Sequence, residues 1–71
     1  MMTLQDAQNL LRLHQGRVKA FAFRRDTIKR MAEELGFERF IENVIENDLP
    51  FTFLGIPVVW VGATQPEGAI I

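Results

Sequence analysis

The chain has 71 residues, no cysteine, a single histidine and a formal net charge of −1. That length allows one domain near the lower limit of independent folding, with no disulfide to reinforce a small core. One histidine and no thiolate also disfavour a structural zinc site, so no metal or cofactor is expected, and oligomerisation is the supplement left open to a thin core.

The net charge conceals three blocks. Arg12, Arg17, Lys19, Arg24, Arg25, Lys29 and Arg30 stand against Asp26 alone, a local balance of +6. Glu33, Glu34, Glu38, Glu42, Glu46 and Asp48 then stand against Arg39, a balance of −5, and residues 51–71 carry only Glu67. Basic, acidic and apolar blocks in succession describe the chain better than its overall charge does.

In chain order, Thr3 can cap a first helix, with Asp6 three residues on completing an approximate capping box. Leu4, Ala7, Leu10, Leu11 and His14 share one face at helical spacing, and Gly16 is a suitable stop. Residues 17–23 alternate tolerably as a strand, with Val18, Ala20 and Ala22 on one side and Lys19, Phe21 and Phe23 on the other; continuation of the first helix is the competing reading. Asp26 is then a good N-cap for a helix over 27–35 that buries Ile28, Met31, Ala32 and Leu35 and ends at Gly36.

Phe37, Phe40, Ile41, Val44 and Ile45 follow the i, i+3, i+4, i+7, i+8 pattern, with Glu38, Glu42 and Glu46 on the opposite face. Asn47, Asp48 and the Leu49-Pro50 step end that helix. Residues 51–54 and 56–61 read as strands broken at Gly55, followed by a turn through Pro66-Glu67-Gly68 and a closing strand over 69–71. Pro57 cannot donate to a ladder, so its strand is an edge there or starts just after it. The expected fold is α+β: two or three short helices on a small antiparallel sheet with a C-terminal β-hairpin, as a single domain over 1–71.

The chemistry inventory is thin. There is no serine, cysteine or tyrosine, which removes the usual acyl-transfer nucleophiles and the phenolic acid. His14 at a helix end reads as a capping or surface residue. Glu38, Glu42 and Glu46 lie at i, i+4, i+8 without the histidine of a di-metal helical site. The glycines form no phosphate-binding loop. No catalytic residue is assigned, and an enzyme is not expected. No apolar run reaches the ~18 residues of a membrane span, and the first thirteen residues lack a signal-peptide core, so no membrane partner is expected.

The string T-I-K-R-M-A-E-E-L-G-F-E-R-F-I-E-N-V-I over 27–45 resembles the helix-turn-helix of bacterial repressors, with Ala32 at the small-residue position and Gly36 at the turn. It departs from that family at Glu42, where an apolar residue belongs. Its second helix would also present Glu38, Glu42 and Glu46 to phosphates spaced one charge per ~1.7 Å of duplex. The resemblance implies a winged-helix-like nucleic-acid-binding regulator. It would act through the basic 12–30 block (Arg17, Lys19, Arg24, Arg25, Lys29 and Arg30), interleaved with Phe21 and Phe23. The same basic residues suit an acidic protein partner.

The string L-G-I-P-V-V-W-V-G-A-T-Q-P-E-G-A-I-I over 54–71 resembles strand-loop-strand endings in tailed-phage capsid-type proteins and small phage proteins, with Gly55, Pro57, Val58, Pro66 and Gly68 as its fixed points. That resemblance implies a phage-encoded virion accessory component or host-protein-binding factor, located in the host cytoplasm or the virion. It carries over no catalytic residue.

The leading expectation is therefore a non-enzymatic protein–protein interaction module, whose expected partner is a second copy in a homo-oligomer or another virion or host protein. Both faces of 56–61 are apolar, and one of them is left for a partner after the helices are packed. Trp60 is the expected anchor, with Phe51, Phe53 and Val59 around it. The alternative is the nucleic-acid regulator.

Overall fold

The computed structural model describes residues 2–71. Helix α1 (Leu4–Leu13) is followed by strand β1 (Ala20–Phe23), helices α2 (Arg25–Leu35) and α3 (Glu38–Glu46), and strands β2 (Thr52–Phe53), β3 (Ile56–Trp60) and β4 (Gly68–Ile70). The four strands form one mixed sheet in the order β2-β3-β1-β4.

The start of α1 follows from two side chains. Thr3 Oγ1 accepts from the Asp6 backbone N–H at 3.2 Å, while Asp6 Oδ2 accepts from the Thr3 N–H at 2.9 Å. This capping box satisfies two amides that the first turn would leave open. Helix α2 starts differently from the expected Asp26 cap. Arg24 occupies the N-cap position without a side-chain hydrogen bond, and Asp26 lies inside the first turn. The chain turns into the helix one residue after β1 ends, which leaves no room for a cap at 26. Asp26 still places a carboxylate near the positive end of the helix. Gly36 closes α2 at φ +83°, a left-handed conformation that glycine adopts without steric cost.

The α+β class is as expected, and the sheet is more closely interwoven than two successive hairpins. β1 pairs parallel with β3 (Phe21 with Val58, Ala22 with Val59, Phe23 with Trp60). It pairs antiparallel with β4 (Ala20 with Ile70, Phe21 with Ala69, Ala22 with Gly68). The two C-terminal strands therefore do not pair with each other; β1 lies between them. The hairpin of this region is instead β2–β3, with Thr52 opposite Pro57 and Phe53 opposite Ile56. Its two-residue turn places Leu54 at φ +54° and Gly55 at φ +79°, the positive-φ pair of a type I′ turn.

β3 is an inner strand, but at Pro57 its β1 side is unpaired, an edge at that point as expected. Val61 N–H donates to Phe23 O at 3.0 Å, and Val58 N–H donates to Phe51 O at 2.9 Å. Odd-numbered residues of β3 thus direct their amides towards β1 and even-numbered ones towards β2. The Pro57 nitrogen points to the β1 side, where paired residues begin only at Val58. The missing donor falls where no ladder bond is required.

Phe21 and Phe23 stack with centroids 5.1 Å apart, and Phe53 meets both edge-on at 6.3 and 5.9 Å. Ala7 from α1, Ile28, Met31 and Ala32 from α2, and Ile41 from α3 close over them in one cluster. Leu35 and Phe40, expected among buried helix residues, are exposed. Both lie near a helix end or flank, where the stripe drifts off the sheet.

Candidate interaction surface

Side chains alternate across a sheet, so pairing determines which residues share a face. Phe21, Phe23, Phe53, Ile56, Val58, Trp60 and Ala69 form one face, and every one of them belongs to the core cluster or packs against it, together with residues from all three helices. Ala20, Ala22, Thr52, Pro57, Val59, Gly68 and Ile70 form the other, and the next pair along β1 and β3, Arg24 and Val61, continues it past the ends of those strands. At the β2 margin of this second face, Phe40 of α3 lines a shallow cavity with Thr52 and Pro57.

The open face has two properties. None of its seven paired residues is charged, although a quarter of the whole chain is; Arg24 stands at its end, held by Glu67. It is also contoured: Ala20, Ala22 and Gly68 form a low strip along β1 and the start of β4. Val59 stands on one side of the strip at 42% exposure and Ile70 on the other at 43%. Solvent-facing sheet faces ordinarily carry polar side chains in alternation with the buried ones. An uncharged open face is the informative departure.

Glu67 fixes one border of this face. Its side chain is 8% exposed and lies 3.6 Å from the Arg24 guanidinium. It accepts from the Arg24 backbone N–H at 3.0 Å, while the guanidinium donates to Gln65 O at 2.8 Å. The loop between β3 and β4 is further closed by Gly62 N–H donating to Gln65 Oε1. These bonds bring β4 back to the end of β1 and so hold Gly68 and Ile70 beside Ala22 and Ala20.

The four residues expected to anchor a partner do not form one patch. Phe53 is 5% exposed and lies in the core. Phe51 is half-buried within a run of aromatic rings between Phe40 (5.9 Å), Phe37 (6.5 Å) and Phe53 (6.5 Å). Trp60 is half-buried on the helix side, with the Arg25 guanidinium carbon 5.9 Å from its ring centroid. Val59 alone lies on the open face.

The six basic candidates are also dispersed. Arg17 and Lys19 precede β1, whereas Arg24 and Arg25 follow it at the opposite end, and Lys29 and Arg30 lie on α2. Arg24 is engaged by Glu67. Glu38, Glu42 and Glu46 are exposed on α3, the helix that would have to approach a duplex.

Ala20, Ala22, Val61 and Ile70 join Val59 on the open face without having been singled out from the sequence. Ala20 and Ala22 were visible as the side of their strand opposite Phe21 and Phe23. Glu67 had a signal too, as the lone charge in 51–71. Among the described residues, no group of three or more His, Cys, Asp or Glu side chains is placed to hold a metal ion, and no helix is long and apolar enough to cross a membrane. Compared with protein-family models, curated proteins and solved structures, the chain matches none of them.

Proposed function

We propose that this chain is a non-enzymatic protein–protein interaction module whose contact surface is the open face of its sheet. The observation that supports this reading is a sheet face whose seven paired residues are uncharged, with Val59 and Ile70 more than two-fifths exposed, opposite the face that all three helices cover. Apolar side chains held on a pleated surface gain about 25 cal/mol per Å² when a partner removes them from water. The strand framework presents them already ordered, which lowers the entropic cost of docking. The resemblance of 54–71 to tailed-phage endings is what supports reading such a module as a virion accessory component or a host-protein-binding factor.

A photo-crosslinking residue at position 59, compared with one at Glu42 on α3, tests the reading in cells that produce the protein. Discrete protein adducts are expected from position 59 and not from position 42. An absence of adducts from position 59 would overturn it.

A further inference from the structure

We infer that β4 is a latched strand. It separates from β1 as one unit, more readily than the rest of the sheet unfolds, and the Glu67 carboxylate sets how often it does so. This goes beyond the interaction reading and stands without it.

Burial sets β4 apart from its neighbours. Of its residues only Ala69 packs against the core cluster, whereas β3 contributes Ile56, Val58 and Trp60. Gly68 has no side chain to bury, and Ile70 and the adjoining Ile71 are 43% and 56% exposed. β4 is also an edge strand, paired on one side only. A segment with so few buried apolar contacts opens at a free energy below that of global unfolding. Polar bonds are what hold it.

Those bonds converge on one residue. The Arg24 N–H donates to Glu67 Oε2 at 3.0 Å, and the Arg24 guanidinium stands 3.6 Å from Oε1 and donates to Gln65 O at 2.8 Å. Each joins the end of β1 to the segment just ahead of β4. The Glu67 side chain is 8% exposed, so water competes poorly for its carboxylate, and removing that acceptor leaves the Arg24 amide unpaired. Elsewhere the loop is tied to itself, through Gly62 N–H donating to Gln65 Oε1.

Opening changes the open face directly. Gly68 and Ile70 leave it with β4, while Ala20, Ala22 and Val59 stay on β1 and β3. Ile70 therefore belongs to that face only while the latch is closed.

β1 carries two sets of reporters for this motion. Phe23 O accepts from Val61 N–H on the β3 side, and the Arg24 amide donates to Glu67 on the β4 side. Backbone groups alternate in direction along a strand, so Phe21 and Phe23 direct their amides to β3, and Ala20 and Ala22 direct theirs to β4. Native-state hydrogen exchange of the full chain, with each amide corrected for its intrinsic rate, reads the two sets separately. Ala20, Ala22 and Arg24 are expected to exchange about tenfold or more faster than Phe21 and Phe23, and within about threefold of one another. Glu67→Ala should speed these three amides by about tenfold or more. Ile41→Val, in the core beneath the helices, should speed Phe21 and Phe23 by about threefold or more and leave the three amides unchanged. Glu67→Gln, with a smaller acceleration, carries the same test if Glu67→Ala fails to fold. Equal acceleration of both sets by Ile41→Val overturns the inference, because β4 then opens only with the whole chain. A gradient from Ala20 to Arg24, the signature of fraying from Ile70, also overturns it, as do rates indifferent to both Glu67 substitutions.

Discussion

The Glu67 carboxylate accepts a hydrogen bond from the Arg24 backbone N–H at 3.0 Å and stands 3.6 Å from the guanidinium of the same residue. One side chain thereby satisfies the amide at the point where β1 becomes α2 and anchors the loop that delivers β4. The Arg24 side chain is 39% exposed, so the ion pair itself contributes little and the backbone bond contributes more. Glu67→Ala should cost about 1–3 kcal/mol in chemical denaturation, Glu67→Gln less because an acceptor remains, and Arg24→Ala under about 1 kcal/mol. Equal losses for Glu67→Ala and Arg24→Ala would show that the ion pair dominates.

Leu54 adopts φ +54° in the β2–β3 turn, a conformation that costs a residue with an ordinary Cβ roughly 1 kcal/mol and suits asparagine. Leu54 is exposed, so its replacement gives up little packing. Leu54→Asn should stabilise the chain by about 0.5–1 kcal/mol, read as a raised denaturation midpoint with unchanged slope.

Phe23 is fully buried between Phe21 and Phe53. Phe23→Ala should cost about 3–5 kcal/mol. A chain of this size has about 4–10 kcal/mol in total, so the variant should lose roughly half of its stability or more, read as a sharply lowered denaturation midpoint. Phe40→Ala, at 55% exposure, should lose under about 1.5 kcal/mol.

These variants probe features that were unequally legible in the sequence. Thr3 and Asp6 announced α1 because a capping box is local chemistry. Ile41 and Val44 announced α3 through its period. The opposition of Trp60 and Val59 was also readable, since alternation needs only the strand itself. Which of the two faces the core was not readable. That depends on Phe21 lying beside Val58, a parallel pairing across thirty-seven positions of sequence. For the same reason the insertion of β1 between β3 and β4 left no local trace, and nothing local showed that Trp60 lies on the helix side and Val59 on the open one. The Asp26 cap failed because β1 ends at Phe23 and the chain enters α2 at Arg25, two residues before the local signal, a tertiary constraint that overrides local preference.

Methyl carbon–proton correlation spectra of the isotope-labelled chain, alone and in an extract of cells that produce it, test the central claim most directly, because each side of the sheet carries its own methyl reporters. The account predicts shifts or broadening at Val59, Val61, Ala22 and Ile70, with Ile28, Ile41 and Val44 unmoved. Spectra that do not change, or changes confined to residues away from the open face such as Leu13, would contradict it.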